Sequence, residues 1–376
     1  MAPVPELGIW VATGHRHVTA LLRDSRGLVA HLPAPAELGG GNPVLGTPLR
    51  RTLARMATLT DPPDHERARR PLHRGLGAEL VAPWRDRARA RAAQLLDRAS
   101  ARAAGVGRTG VEVVSEVAEP LLAEMLDEVF RLPPGTGNRV RSEWGVVAAS
   151  VDRPEGGLAA DAPARLLALH EGLALHLKQV RSDPRNTPVD VMVRTADDDP
   201  SRSDVGLTAN LIHMLTSGHR STAQALVLAV YALARHHRQL EGLRRQPALL
   251  PAAVEELLRW DGSVHLTRRI LATDVTLDGH TLPAGSLVAL VLAAANRDPE
   301  AFPSPATLSF DRPPGARRHV SFGSGPHFCV GAALARAVLH GALASLVERA
   351  RWIEVTQPPE WTAPRRGLRR LEVRWW

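Results

Sequence analysis

The chain has 376 residues, a formal net charge of +8 and one cysteine. A single cysteine excludes an internal disulfide and indicates a reducing compartment. The first residues lack the charged-then-apolar layout of a signal peptide, and no apolar run is long enough to span a bilayer. We therefore predict a cytoplasmic protein that does not associate with a membrane.

The predicted elements are mainly helical, with a smaller β region. Three predicted loops interrupt the helical patterns, at residues 133–138, 153–164 and 182–204. Two short extended runs, Val275 to Leu277 and Thr281 to Pro283, flank the turn Asp278-Gly279 and are typical of a hairpin, and a further strand is predicted over 286–291. The sequence predicts a single domain over residues 1–376.

The basic charge is carried almost entirely by arginine, since Lys178 is the only lysine. A basic balance can indicate a nucleic-acid partner or an acidic protein partner. The arginines are spread through helical patterns, and few aromatic residues are available to stack on bases. We therefore expect no nucleic acid. An acidic protein partner, or simply solvated helix faces, accounts better for the charge.

Two charged pairs stand at helical spacing. His65 and Arg69 are four residues apart, so both can face one anion from one side of a helix. Glu256 and Arg259 are three residues apart on the apolar helix predicted over 252–260, where they can form an ion pair. Exposed pairs of this kind contribute little, so neither spacing identifies a site by itself.

The single cysteine, Cys329, lies where a glycine-rich loop becomes a helix. It belongs to the run Phe322-Gly323-Ser324-Gly325-Pro326-His327-Phe328-Cys329-Val330-Gly331, and apolar residues at helical spacing follow. Gly323 and Gly325 let the backbone curl tightly beneath a flat ligand, and Gly331 leaves room for a close approach. A thiolate forms readily at a helix N-terminus or on a metal, so Cys329 is a candidate metal ligand.

This run resembles the haem-binding signature Phe-Gly-x-Gly-x-His-x-Cys-x-Gly of the cytochrome P450 superfamily, and every fixed position matches. The resemblance implies a mainly helical cytochrome P450 fold, a triangular helical body with haem b between a long distal helix and the cysteine-loop helix. It also implies that the Cys329 thiolate is the axial iron ligand and that Phe322 packs near the sulfur.

The resemblance implies further contacts with the haem. The segment 61–69 is similar to the opening of the family's C helix, so His65 and Arg69 would bind a haem propionate. Arg269 matches another propionate partner, although the adjacent Arg268 is an alternative, and the Glu256–Arg259 pair would be structural. The predicted haem-binding residues are His65, Arg69, Gly218, Arg269, Phe322, Gly323, Gly325, His327, Cys329 and Gly331.

The long helix predicted over 205–235 departs from the family at its centre. Relatives have Ala-Gly-x-Asp/Glu-Thr-Thr where this chain has Ser-Gly-His-Arg-Ser-Thr. Gly218 fits the passage of the helix over the haem, but Arg220 replaces the acid that helps to deliver protons. Ser221 and Thr222 take the places of the two threonines. The predicted catalytic residues are therefore Arg220, Ser221 and Thr222, with an incomplete acid–alcohol relay.

Two interpretations of Arg220 remain open. An uncompensated buried charge costs on the order of several kcal/mol, so Arg220 needs an anionic partner. It either anchors a substrate carboxylate, which could also supply the missing acid, or turns aside to a protein partner and leaves Ser221, Thr222 and water to carry protons. Other predicted substrate contacts are His219, His265 and Leu266. No second metal site is expected.

Two further departures from the family concern its framework. The usual N-terminal strand and A helix look shortened or absent. Thr307-Leu308 replaces the Arg-Phe that usually completes a Glu-Arg-Arg core triad with Glu256 and Arg259. We expect this second change to weaken the segment that precedes the cysteine loop.

The predicted function is that of a bacterial-type haem-thiolate oxidase or monooxygenase of specialised metabolism, which uses dioxygen to hydroxylate, couple or cyclise a small organic substrate. Electrons would come from an acidic ferredoxin and its reductase, and a monomer is expected. The predicted docking residues are Arg70, Arg74, Arg317 and Arg318. Alternatives are a peroxide-driven enzyme, since some peroxide-using relatives have an arginine near position 220, and a haem protein that binds or senses without turnover. A basic nucleic-acid binder would leave the cysteine loop unexplained.

Overall fold

The structure is a computed structural model that describes residues 1–29, 48–152, 161–199, 204–312, 318–362 and 367–376. The chain groups into two compact units. The first unit comprises Met1–Leu28, Ala82–Leu122 and Arg220–Trp376, and the second comprises Val29–Val81 and Ala123–His219. The units alternate along the chain, so neither is one contiguous segment of sequence.

Helices dominate the described residues, and the strands are short. The helices are α1 (His15–Arg23), α2 (Pro48–Leu53), α3 (Asp64–Gly75), α4 (Ala78–Val81), α5 (Trp84–Gly105), α6 (Glu119–Val129), α7 (Thr136–Asp152), α8 (Ala162–Ser182), α9 (Pro188–Asp197), α10 (Asp204–His213), α11 (His219–Arg235), α12 (His237–Arg245), α13 (Leu250–Trp260), α14 (Leu292–Ala295) and α15 (Ala332–Arg349). The strands are β1 (Ala2–Val4), β2 (Ile9–Ala12), β3 (Gly27–Leu28), β4 (Val111–Glu112), β5 (Thr267–Leu271), β6 (Val275–Leu277), β7 (His280–Leu282), β8 (Leu287–Leu290), β9 (Ile353–Val355), β10 (Glu360–Trp361), β11 (Leu368–Arg370) and β12 (Glu372–Trp375). The predicted fold class, mainly α with a smaller β region, is confirmed.

Helix α15, which follows the cysteine loop, packs closely on α5 in the first unit. A Cβ atom on Gly341 of α15 would lie 2.1 Å from the carbonyl oxygen of Arg85 and 2.7 Å from the amide nitrogen of Arg89. Only glycine permits this approach, because the opposing atoms belong to backbone and cannot turn aside. Leu334 and Val338 on α15 are buried as well. The helix behind the cysteine is therefore anchored in the core of its unit.

A five-stranded sheet, in the order β1-β2-β8-β5-β3, belongs to the first unit. Strands β2 and β8 pair in parallel, and β5 pairs antiparallel with β8. Successive side chains of a strand point to opposite faces. Arg269 and Leu271 on β5 are accordingly buried, while Arg268 is exposed. Val288 on β8 and Leu21 on α1 belong to the same buried apolar cluster as Leu271.

The predicted hairpin is present as strands β6 and β7, which pair antiparallel. Asp278 and Gly279 at its turn have φ values of 49° and 79°. Two successive residues with positive φ are typical of a type I′ turn, whose twist matches that of the flanking strands. Strand β8 confirms the further strand predicted over 286–291.

The prediction of a loop over 182–204 is wrong in its centre, where helix α9 lies in the second unit. A reciprocal capping box between Thr187 and Asp190 begins the helix, and Pro188 occupies its first turn. Val189 and Met192 are buried. The polar composition of the segment conceals a short amphipathic helix.

The other two predicted loops are shorter than expected. Helix α7 begins at Thr136, inside the loop predicted over 133–138, and α8 begins at Ala162. Residues 153–160 of the loop predicted over 153–164 lie outside the described residues. Among the helices that the structure describes, none combines the length and hydrophobicity needed to cross a bilayer.

Candidate functional site

The cysteine loop is closed by its own backbone hydrogen bonds. The N–H of Cys329 donates to the carbonyl of Phe322 (2.8 Å), and the N–H of Gly323 donates to the carbonyl of Val320 (2.8 Å). The N–H of Phe328 donates to the carbonyl of Gly325 (3.0 Å) within the same loop. Cys329 is therefore held at the base of a tight loop, directly opposite Phe322.

The two loop glycines are required by geometry. Gly323 and Gly325 both have a φ of 72°, in the left-handed region that side chains disfavour. A Cβ on Gly325 would also lie 2.6 Å from the carbonyl oxygen of Leu22 and 2.8 Å from the Cα of Arg23, both on α1. Any larger residue at position 325 would push the loop away from α1, so the spacing of the glycines follows from the shape of the loop.

The Cys329 side chain is exposed and precedes the first turn of α15, whose N-cap is Gly331. The positive end of a helix dipole favours a thiolate at this place. The part of the chain that the structure describes contains no group of three or more His, Cys, Asp or Glu side chains that could hold a metal ion. A single cysteine thiolate fits an iron whose other ligands would arrive with it, as the ring nitrogens of haem do. The donor set therefore fits haem.

The alternation of strand β5 distinguishes the two candidate arginines. Arg269 is only 3% exposed, and its Nη1 donates to the carbonyl of Arg268 (2.8 Å). Gly27 on β3 lies over its stem, since a Cβ there would be 3.3 Å from Cγ of Arg269. Arg268 points to the exposed face. A buried guanidinium suits an anionic group such as a propionate, so Arg269 remains the better candidate.

His65 and Arg69 lie one turn apart on α3, in the second unit. His65 is 2% exposed, and burial lowers the pKa of its ring. The charge of Arg69 lowers the pKa further, while Asp61 and Glu66 act in the opposite direction. The predicted helical spacing is present, and the role of the pair in binding a propionate stays a prediction.

The buried pair of Glu256 and Arg259 is present on α13. Nε and Nη2 of Arg259 donate to the two carboxylate oxygens of Glu256 at 2.7 and 2.8 Å. Nη1 of Arg259 donates to the carbonyls of Asn296 (2.8 Å) and Pro305 (3.0 Å). The pair therefore links α13 to the segment that precedes the cysteine loop.

The expectation that the Glu-Arg-Arg triad is incomplete is wrong. Arg312 supplies the second arginine, since its Nε donates to Glu256 (2.8 Å) and its Nη2 donates to the carbonyl of Thr307 (2.6 Å). The same carbonyl also accepts from Nη2 of Arg259 (3.3 Å). Position 307 thus contributes its backbone rather than a side chain. The segment bends back so that an arginine further along the chain reaches the carboxylate.

Asn296 also holds the start of the cysteine loop, although sequence reasoning gave it no role. Its side-chain oxygen accepts from the N–H of Val320 (2.7 Å), and its Nδ2 donates to Oγ of Ser321 (2.8 Å). Ser321 in turn donates to the carbonyl of Leu258 on α13 (2.7 Å). The available signal was an asparagine that directly follows the apolar residues of α14, because an amide buried with them needs hydrogen-bond partners.

The helix predicted over 205–235 is interrupted near its centre. Helix α10 is followed by a π-helical turn, Met214–Gly218, and then by α11. A Cβ on Gly218 would have only the Cε of Met214 as an ordinary contact, at 3.9 Å. Thr222 is buried, and Ser221 is half-buried. Single π-helical turns are frequent at functional sites, in agreement with the predicted position of this segment.

Arg220 is exposed on α11 and lies within electrostatic reach of Glu119, at the start of α6 in the same unit. Burial raises the pKa of Glu119, Glu112 raises it further, and the charge of Arg220 lowers it. Because the Arg220 side chain is exposed, the cost of a buried charge does not require it to have an anionic partner, although a local carboxyl group is available. The same position keeps the side chain accessible to a ligand, so both predicted roles of Arg220 stay predictions.

The predicted substrate contacts differ in their surroundings. Leu266 is 59% exposed. His265 lines a cavity of about 610 Å³ together with Tyr231, Trp260 and Arg297, and its Nε2 lies 3.8 Å from a carboxylate oxygen of Asp261. His219 is the first residue of α11.

Comparison with known proteins decides the family. The cytochrome P450 family model matches residues 241–368. Cytochrome P450 107B1 of Saccharopolyspora erythraea is 33% identical over 321 residues, which cover 84% of this chain and 76% of that protein. The chain belongs to the cytochrome P450 family.

Other members resemble this P450 over nearly its whole length. The 6-deoxyerythronolide B hydroxylase of Saccharopolyspora erythraea is 31% identical over 372 residues, covering 93% of this chain and 85% of the hydroxylase. The crystal structure of the LnmA cytochrome P450 hydroxylase of Streptomyces atroolivaceus has a TM-score of 0.79 at 29% identity, over 97% of this chain and 90% of that one. The P450 described here is therefore an oxidoreductase of a family that uses haem.

Proposed function

We propose that this P450 is a haem-thiolate monooxygenase of bacterial specialised metabolism, with haem b bound through Cys329. The observation that carries the proposal is the exposed Cys329 thiol, held at the base of a glycine loop and at the N-terminus of α15. Phe322 would pack beside the sulfur. When bound, the haem supplies an iron whose thiolate ligand favours cleavage of an O–O bond.

The charged residues of the chain would seat the propionates of the haem. Arg269 and His327 would do so, and the family resemblance adds His65 and Arg69. Arg269 is buried on β5, and charge-assisted hydrogen bonds from a guanidinium are well suited to hold a carboxylate, which supports this assignment. The glycines at 218, 323, 325 and 331 would let backbone approach the flat ring.

The distal residues would position substrate and hold protons. Ser221 and Thr222 are the hydroxyl groups of α11 nearest to Arg220 in sequence, and Thr222 is buried. Arg220 would either anchor an acidic substrate or pair with Glu119, while His219, His265 and Leu266 are further candidates for substrate contact. Binding of acidic and neutral substrate analogues to Arg220→Ala separates the two roles. A selective loss of the acidic analogue supports the anchor, whereas equal losses refute it.

The proposed reaction is insertion of oxygen into, or oxidative coupling or cyclisation of, a small organic molecule. The hydroxylases named above, and the nocardicin C N-oxygenase of Nocardia uniformis, which is 32% identical over 360 residues, support oxygen insertion. A peroxide-driven reaction is the second candidate, because Arg220 stands where relatives have an acid. Turnover with peroxide compared with ferredoxin, its reductase and dioxygen separates these two. Failure with both oxidants would leave a haem protein that binds without turnover.

An acidic ferredoxin is the proposed electron donor. A groove of about 1260 Å³ in the first unit is lined by Arg16, Arg23 and Arg318 and by Gly323 and Phe328 of the cysteine loop. Basic side chains beside the loop would attract an acidic partner and speed its association at low salt. Of the other predicted docking residues, Arg70 and Arg74 lie on α3 in the second unit, and Arg317 lies outside the described residues.

The carbon monoxide difference spectrum of the reduced protein tests the proposal. We expect the red-shifted band of a thiolate-ligated haem in the natural chain and its loss in Cys329→Ser. Thr356→Ser, which keeps the hydroxyl that donates to Glu372 (2.9 Å) and removes one methyl group, is the control and should retain the band. Absence of the band from freshly prepared, haem-loaded protein would refute thiolate ligation.

A further inference from the structure

A second ion-paired cluster lies beside the cysteine loop, one residue away from the buried pair on α13. Glu255 accepts two hydrogen bonds from Arg336 on α15, from Nε (2.6 Å) and from Nη2 (2.8 Å). The same carboxylate lies 3.2 Å from Nε2 of His319. We refer to Glu255, His319 and Arg336 as the Glu255 clamp. The clamp joins α13, α15 and the segment that enters the cysteine loop.

The hydrogen bonds of His319 define the state of its ring. The N–H of Ser321 donates to Nδ1 of His319 (3.2 Å), so Nδ1 carries no proton. Nε2 therefore carries the proton and donates to Glu255. Burial acts to raise the pKa of Glu255, but the hydrogen bonds from Arg336 and His319 outweigh it and lower the pKa to about 2. The clamp consequently holds one anion, one cation and one neutral ring.

Both partners of Glu255 also contact the ring of Phe322. The guanidinium carbon of Arg336 lies 4.5 Å from the centre of the ring, and the ring of His319 is 5.9 Å away. A guanidinium over an aromatic face is attracted by the quadrupole of the ring. The carbonyl of Phe322 accepts the N–H of Cys329 (2.8 Å), so the clamped residue is also the residue that holds the cysteine backbone.

We propose that Glu255 is a positioning residue for the Cys329 thiolate. It holds Arg336 and His319 in place, these two side chains hold the ring of Phe322, and Phe322 fixes the backbone of the cysteine. The carboxylate also balances the charge of Arg336, which would otherwise stand uncompensated beside the loop. This inference rests on the proposed thiolate ligation of haem.

The effect of neutralising Glu255 has a predictable sign. Without the carboxylate, the charge of Arg336 is no longer balanced, and a cation near the thiolate favours the reduced, more negative state of the site. The reduction potential of the bound haem should therefore become more positive in Glu255→Gln. Residues behind a metal ligand typically change affinity by about 10- to 100-fold when replaced, so haem loss should accelerate by a factor in this range.

The test uses the haem-loaded natural chain, Glu255→Gln, Arg336→Lys and a control, Glu348→Gln. Glu348 lies on α15, as Arg336 does, and pairs with Arg89, so the control also removes one carboxylate from an arginine. For each variant we would measure the reduction potential, the rate of haem transfer to an excess of apomyoglobin and the thermal midpoint. Arg336→Lys keeps the charge and serves if Glu255→Gln does not fold. It should accelerate haem loss, because lysine can neither pair in bidentate fashion nor stack on Phe322.

A double variant distinguishes positioning from simple stabilisation. If Glu255 acts through Phe322, the shifts in potential caused by Glu255→Gln and Phe322→Leu will be non-additive when combined. A lower thermal midpoint with an unchanged potential and haem transfer within about twofold of the natural chain would overturn the inference, as would strictly additive shifts. Absence of the thiolate band in the natural chain is a different result, which refutes the proposed ligation itself.

Discussion

Removing Arg312 should destabilise the protein, because its side chain completes the buried cluster around Glu256. Glu256 is 5% exposed and receives hydrogen bonds from Arg259, from Arg312 (2.8 Å) and from the N–H of Ser309 (3.1 Å). The guanidinium of Arg312 additionally donates to the carbonyls of Pro303 (2.7 Å) and Thr307 (2.6 Å). Arg312→Ala removes every bond that Arg312 donates, whereas those from Arg259 and Ser309 to Glu256 remain.

The size of the loss in unfolding free energy depends on which partners Glu256 keeps. Breaking a buried ion pair costs about 3–5 kcal/mol, but Glu256 keeps the bidentate partner Arg259, so the lower end of this range applies. Lost charge-assisted bonds to carbonyls act in the same direction. We expect Arg312→Ala to lower the free energy of unfolding by about 3 kcal/mol.

Urea unfolding of the haem-loaded protein measures this cost. Circular dichroism and haem absorbance should be followed together, because coincident curves are needed before a free energy is assigned. Arg349→Ala is the matched control, since Arg349 pairs with Asp97 at the surface and its loss should cost less than about 1 kcal/mol. If the two variants lose the same stability, the reasoning that Arg312 completes the buried triad is refuted.

Three further predictions concern packing and charge. Gly341→Ala should lower the free energy of unfolding by about 3 kcal/mol, because its Cβ would lie 2.1 Å from the carbonyl oxygen of Arg85. Gly242→Ala on α12 is the control in the same thermal unfolding experiment: its Cβ meets nothing within 4 Å, so it should be slightly stabilising. The difference in unfolding free energy between the natural chain and Glu255→Gln should be largest above pH 4.5 and shrink as the pH falls towards 2. The reason is that the lowered pKa of Glu255 makes its carboxylate stabilising only when it is ionised. A difference that does not depend on pH contradicts this prediction. Glu119→Gln should raise the free energy of unfolding above pH 4.5, because burial disfavours the ionised carboxylate. The gain should be larger in an Arg220→Ala background, where the charge that favours the carboxylate is gone. Equal gains in the two backgrounds exclude coupling between the two residues.

Sequence patterns predicted the features that depend on local geometry. The Asp278-Gly279 turn, the Glu256–Arg259 spacing and the loop glycines at 323 and 325 each follow from short-range backbone preferences, and each is found in the structure. Such features need no information about distant segments. They account for the reliable recognition of the cysteine loop.

Features that depend on long-range contacts were missed or left with two alternatives. Arg268 and Arg269 are equivalent in sequence, and only the register of β5 against β8 decides which one is buried, since a shift of one residue would exchange them. Arg312 reaches Glu256 because the intervening backbone bends, which comparison position by position could not reveal. Helix α9 was hidden by its polar face.

The single exposed cysteine allows occupancy of the proposed haem site to be followed by chemical labelling. Because the sequence contains no other thiol, a thiol-specific reagent that labels the protein reports on position 329 alone. Bound haem would occupy the sulfur, so the fraction of chains that remain unlabelled, determined from their mass, would measure cofactor occupancy independently of the absorption spectrum. The same uniqueness allows a fluorescent or spin label to be placed at the ligand position of the haem-free protein with no background to subtract.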